Sequence, residues 1–175
     1  MEILPIIDEE GNVIGSEERD VAHSKGLLHP GSRVIVKIPD GKIVFQRRSE
    51  SKDTDPGKLT IAAGGHIKFG QSPEEGAAAE LLEETGIVAD PNDFVFLGKR
   101  FMINGIISGK PHRVLGYYYG YRYPGTIKDF KVEQGDGAGF EGYTYEELEK
   151  LTDEGKQRFC DTLLDPDMME MFKNA

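Results

Sequence analysis

Apolar and polar positions divide the chain into short blocks. An apolar run, Ile3–Ile7, is followed by a turn at 8–12 and a polar stretch at 16–25. Two β-rich runs come next, 33–38 and 42–48, and the Pro39-Asp40-Gly41 between them predicts a hairpin. Residues 49–58 are polar, contain Pro56-Gly57, and read as a loop. Ser72-Pro73-Glu74-Glu75 combines an N-cap serine, a proline at the first helical position and a glutamate at the third. The helix it starts is expected to end at Thr85, with Gly86 in the left-handed conformation and Ala77, Ala78, Leu81 and Leu82 as the apolar stripe. Strands are predicted at 94–101 and 114–122, with 102–107 a further candidate; Tyr117, Tyr118, Tyr119 and Tyr121 suit a pleated, partly buried surface. A glycine-rich acidic loop at 133–142 leads to a short strand near 140–143. Thr144-Tyr145-Glu146-Glu147 predicts a helix to Leu151, and Asp165-Pro166 begins a last one whose Met168, Met169 and Phe172 read as core contacts. Strands interspersed with helices imply a mixed sheet with helices on its faces. The 175 residues suit one domain.

Charge narrows the partners. With 31 acidic against 21 basic residues and a net charge of −10, the chain is a poor match for extended nucleic acid, whose phosphates are held by clustered Lys and Arg. The one cysteine, Cys160, excludes an intramolecular disulfide and a Cys-rich zinc site, and reads as a buried or half-buried helix residue. No basic region followed by an apolar stretch opens the chain, and no apolar run approaches the ~20 residues of a membrane span. The expectation is a cytoplasmic protein without a membrane partner.

Glu80, Glu83 and Glu84 stand at i, i+3 and i+4, so they share one face of the central helix. Like charges so spaced repel by a few tenths of a kcal/mol per pair. A solvated acidic face tolerates that cost, whereas a hard cation with oxygen ligands turns it into binding energy. The segment before the helix, Ala62-Ala63-Gly64-Gly65-His66, reads as a loop whose glycines allow close backbone approach to an ion or phosphate.

These residues resemble the box of the Nudix hydrolases. Setting Gly65 at its first position puts Glu80, Glu83, Glu84, Gly86 and Ile87 at the expected places, with Leu81 aliphatic. Two positions depart: the first Glu of the box is Gln71, and the Arg before the metal-binding Glu is Ala79. Losing both removes an opposite-charge pair without leaving one charge alone, so the fold need not suffer. The resemblance implies an α+β fold, an α/β/α sandwich around a mixed sheet, with 65–87 as the loop-helix box and residues 1–30 as an N-terminal extension packing on the domain. It also implies a hydrolase that cleaves a diphosphate linkage in a nucleoside diphosphate derivative or similar small molecule. In that reading Glu80, Glu83, Glu84 and Gly65 hold Mg²⁺ or Mn²⁺, and Arg48 and Lys52 contact the diphosphate. Glu83 and Glu84 are catalytic, and Glu84 competes for the role of general base with acids in 133–141, notably Asp136 and Glu141. A homodimer is compatible with the sequence, which does not read out oligomeric state.

The stretch from Leu4 to Ile87 looks like the branch nearest type I isopentenyl-diphosphate isomerase. His23, His29 and His66 match three histidines of that enzyme's metal site. Its catalytic cysteine, however, falls at Gly64, and Pro111-His112-Arg113-Val114 lacks the carboxylates of its later strand. Proton transfer to an alkene needs positioned acid and base groups, so isomerisation is disfavoured. The histidines then either fix the glycine segment and the N-terminal region or keep a second metal site that His112 completes, since imidazole suits transition metals. A binding module without turnover is the other alternative, given Gln71 and Ala79.

Overall fold

The computed structural model describes residues 2–52, 55–107, 109–132 and 137–175. Its centre is the hairpin expected at Asp40-Gly41: β3 (His29–Lys37; β1 and β2 are the N-terminal pair below) and β4 (Lys42–Arg48) are antiparallel, Val36 opposite Val44. Gly41 turns the chain with φ +83°. β3 is buried along nearly its whole length, as a strand covered on both faces must be.

Around this pair the sheet has the order β5-β4-β3-β8-β7, with β6 also pairing β3 and β9 pairing β4. These are β5 (Leu59–Ile61), β6 (Ala63–His66), β7 (Val95–Ile107), β8 (Lys110–Arg122) and β9 (Gly137–Thr144). β8 runs parallel to β3 and the other pairings are antiparallel, so the sheet is mixed, as expected. The two candidate segments merge into one long strand, Val95–Ile107, with two register shifts and Phe94 outside it. Residues 62–66 are not a loop: Ala63–His66 is the strand β6. Paired glycines have low strand propensity, and hydrogen bonding to β3 overrides it.

One face of the sheet is covered by α2 (Pro73–Thr85). Ser72 Oγ accepts from Glu75 N at 3.1 Å and the Glu75 carboxylate accepts from Ser72 N at 2.8 Å, which closes the predicted box. Ala77 and Leu81 are buried with Val34, Val36 and Val44, and Thr85, at i+8 on the same line, is buried too. Leu82 lies one residue, about 100°, off that line and is 48% exposed, so it is not part of the apolar stripe. The helix approaches β3 closely because Gly76 carries no side chain: a Cβ there would stand 2.9 Å from Ser32 Oγ. Ser32 Oγ also donates to Pro73 O at 2.7 Å.

The opposite face packs on α5 (Pro166–Asn174), whose Met168 and Phe172 are buried with Ile35, Phe45 and Leu59. Between β9 and α5 lie α3 (Tyr145–Glu149) and α4 (Asp153–Lys156). α3 thus ends two residues before the expected Leu151. Cys160 is half-buried but lies outside any helix, after α4, its N–H donating to Leu59 O at 2.9 Å, so the helical assignment is corrected.

The N-terminal region is more structured than its polar pattern suggests. β1 (Ile3–Ile7) pairs with β2 (Val13–Glu18), and α1 (Arg19–Lys25) follows. β2 is exposed on nearly every residue, which removes the alternation that would reveal it. Leu4 and Ile7 are buried, and Ile7 N donates to Leu28 O at 3.0 Å.

Candidate active site and histidine cluster

The carboxylate site is built where α2 crosses β6. Even-numbered residues of β3 (Ser32, Val34, Val36) face α2, and Gly65 lies opposite Ser32. A Cβ on Gly65 would fall 2.3 Å from the carboxyl carbon of Glu80, so a side chain there would displace that carboxylate. Burial pushes the Glu80 pKa up to about 7, and the neighbouring Glu83 charge adds to it, against Arg33 and Lys68. Glu83 is exposed, with Lys68 Nζ 3.6 Å from its carboxylate; Glu84 is half-buried on the same side of the helix. A half-buried acid beside a second acid holds its proton to unusually high pH unless a cation is supplied. This donor set fits a hard divalent ion, which prefers carboxylate and carbonyl oxygen.

The two departures from the expected box have local explanations. Gln71 Oε1 accepts from Lys68 N at 2.9 Å and so closes the turn that leads into α2, a task needing no charge. Ala79 is half-buried and brings no cation to the helix. A guanidinium comes instead from the sheet: Arg33 Nη1 donates to Ser32 O at 2.7 Å and to Gly65 O at 3.2 Å. This guanidinium pins the Gly65 carbonyl to β3. Sequence reasoning missed Arg33, although one charged residue inside a near-continuous buried strand is the kind of signal that marks a positioned cation.

Arg48 ends β4 and Lys52 lies in the following loop; both are half-buried. Two residues earlier on β4, Gln46 is buried and its Nε2 has no hydrogen-bond partner among the described residues. Its neighbour Val44 belongs to the α2-facing core, which places this amide on the same side of the sheet as the carboxylates.

Glu141 is placed elsewhere, and its candidacy as general base is corrected. It stands opposite Phe45 in the β4–β9 pairing, hence on the face packed by α5. Its carboxylate is bound by Arg47, by Arg158 Nη2 at 2.7 and 2.9 Å, and by Tyr143 Oη at 3.0 Å. Burial opposes its ionisation, but the Arg158 and Tyr143 hydrogen bonds outweigh it and hold the acid below its usual range. Such a group is a structural anion with its lone pairs occupied. Asp136 lies outside the described residues.

All four histidines of the chain converge at a second place. His29 on β3, His66 on β6 and His112 on β8 project from the strand faces turned away from α2, and His23 of α1 closes over them. His23 Nε2 is 3.2 Å from His66 Nε2, and His29 Nε2 is 3.1 Å from His112 Nε2. His29 Nδ1 donates to Leu27 O at 2.9 Å, which leaves Nε2 as the atom facing the cluster. Burial first, then neighbouring imidazoles and arginines, drive the His29 pKa down to about 4 and that of His66 to about 2. These rings are neutral at physiological pH. His112 was reachable from the sequence only as an addition to the other three; its place follows from β8 pairing in parallel with β3.

The geometry at position 64 counts against the isomerase reading. Position 64 has neither a thiol nor room for one, since a Cβ on Gly64 would meet Arg33 Cδ at 2.8 Å and Ser32 O at 2.9 Å.

A mixed sheet between helices, with a glycine strand abutting an acidic helix, defines the class by fold: an α/β/α sandwich. The NUDIX domain model matches residues 27–163, and the chain belongs to the Nudix family. It is 33% identical over 158 residues to an uncharacterized Nudix hydrolase of Clostridium acetobutylicum, covering 87% of this chain and 74% of that one. The isopentenyl-diphosphate Delta-isomerase of Serratia proteamaculans is 28% identical over 123 residues, 63% of this chain and 69% of that protein. Among solved structures, DR0079 from Deinococcus radiodurans superposes with a TM-score of 0.64 at 24% identity, covering 84% of this chain and 86% of that one. Nudix hydrolases act on small-molecule diphosphates and generally use divalent metals. No described helix is long and apolar enough to cross a membrane.

Proposed function

We propose that this chain hydrolyses a diphosphate linkage in a nucleoside diphosphate derivative or similar small molecule, with Mg²⁺ or Mn²⁺ bound by Glu80, Glu83, Glu84 and Gly65. The observation that carries this reading is the Glu80 carboxylate seated on Gly65, its pKa raised to about 7 by burial and by Glu83. Bound divalent ions neutralise non-bridging phosphoryl oxygens and lower the pKa of water.

The protein's own groups prepare that chemistry. Gly65 fixes the depth of Glu80, and Arg33 holds the Gly65 carbonyl against β3. Arg48 binds the diphosphate as a planar fork and Lys52 as a point charge. Glu84, half-buried beside the site, takes the proton of the attacking water. The cytoplasm, where nucleotide diphosphates and Mg²⁺ are abundant, is the compartment this chemistry suits.

A panel of diphosphate compounds, assayed for phosphate or monophosphate release with Mg²⁺ and with chelator, tests the proposal. Release with Mg²⁺ alone supports it. Binding with no turnover across the panel points to a non-catalytic module and overturns it.

A further inference from the structure

The second cluster does not depend on the hydrolase reading. Four imidazoles come from α1, β3, β6 and β8, positions up to 89 residues apart, and their ligand atoms all lie within 4.8 Å of one another. Ring stacking alone does not require ring nitrogens to converge, and it gives no reason for two of these rings to be buried. Facing nitrogens 3.1–3.2 Å apart need a shared proton in each pair. A cation satisfies all four lone pairs together.

We propose that His23, His29, His66 and His112 form a transition-metal site of Zn²⁺ type, separate from the carboxylates of α2. A tetrahedron with metal–nitrogen bonds of about 2.0–2.1 Å has edges of roughly 3.3–3.4 Å. Two edges here are already 3.1 and 3.2 Å, and none exceeds 4.8 Å, so small ring rotations close the site. Outer partners are also in place. Metal-bound histidines usually give their other N–H to a carbonyl or carboxylate; His29 Nδ1 meets Leu27 O at 2.9 Å, and His66 Nδ1 faces Glu2 Oε1 at 3.7 Å. The set has four nitrogens and no carboxylate among its ligands, which favours an imidazole-preferring ion over Mg²⁺. The bound ion staples α1 to three strands, among them the strand that carries Gly65.

The test uses the full chain stripped with chelator, dialysed, and titrated with Co²⁺ as a spectroscopic stand-in for Zn²⁺. A Glu80→Gln/Glu83→Gln variant removes the competing oxygen site. We expect one Co²⁺ per chain in the glutamine variant, with the same nitrogen-ligated visible bands present in wild type. His112→Ala should weaken binding at least tenfold. His29→Gln, at a fully buried position, serves as the second variant, with circular dichroism as the check on folding. Absence of binding by stripped wild type, or unchanged binding in a folded His112→Ala, would overturn the site. Loss of diphosphate hydrolysis in the glutamine variant with Co²⁺ binding intact separates this site from the α2 site.

Discussion

The carboxylate site and the histidine cluster meet on one short strand and are organised in opposite ways. Gly65 faces α2 and lies under Glu80; the next residue, His66, points to the other face of β6 and joins three more imidazoles. The acidic site is largely local, three glutamates within five residues of one helix. The histidine site is wholly non-local, needing the parallel β3–β8 pairing and the docking of α1. The first is held open by a side chain that is missing, and the second is held together by side chains that converge. Hard oxygen donors and neutral nitrogen donors select different ions, so the two donor sets that meet on this strand suit different metals.

The largest effect should come from the contact that defines the acidic site. Gly65→Ala puts a methyl group 2.3 Å from the Glu80 carboxyl and should lower turnover by about a hundredfold, some 2.7 kcal/mol of barrier. Steady-state kinetics of a folded variant check this, and near wild-type turnover would show that the close packing is incidental. Glu83→Gln and Glu84→Gln should each cost at least about tenfold, ~1.4 kcal/mol, with the melting temperature unchanged. Wild-type turnover in both would remove the acidic site from the mechanism.

The histidine side of the comparison should show in stability. An ion that binds only the folded chain, at 100 times its Kd, adds about 2.7 kcal/mol. For a chain of this size that is a rise of roughly 5–10 °C in Tm. Zn²⁺ added to stripped protein should produce a shift of this order in thermal unfolding, and at most about half of it in His112→Ala.

The smallest effect concerns Glu141. Glu141→Gln should leave turnover within twofold and lower stability slightly at neutral pH. The folded-state pKa of Glu141 is depressed, so its contribution is present above the unfolded value near 4.5 and is lost as pH falls through the folded one. The Tm difference between wild type and Glu141→Gln should therefore shrink on acidification. A large loss of turnover would return Glu141 to the catalytic machinery.

This contrast also explains what the sequence discloses. Ser72, Pro73, Glu75 and Gly86 define α2 by local chemistry, and Glu80, Glu83 and Glu84 inherit their common face from helical spacing. The Asp40-Gly41 turn is equally local. β2 was hidden because exposure on nearly every residue leaves no alternation, and β6 because paired glycines look like a loop. The sequence placed Glu141 in a loop near the acidic site, but its pairing with Phe45 turns it to the far face. Arg33 acts through a contact 32 residues away along the chain, which no window reveals. His112 depends on a parallel pairing formed across most of the domain. Features set by neighbours in sequence were readable; features set by strand pairing were not.

The most direct test of the central claim is the Mg²⁺ dependence of diphosphate hydrolysis by metal-stripped protein, wild type beside Glu83→Gln, at saturating substrate. The account predicts turnover that appears with Mg²⁺, vanishes with chelator, and falls at least tenfold in the variant. Turnover that is independent of divalent ions, or equal in the two proteins, would contradict it.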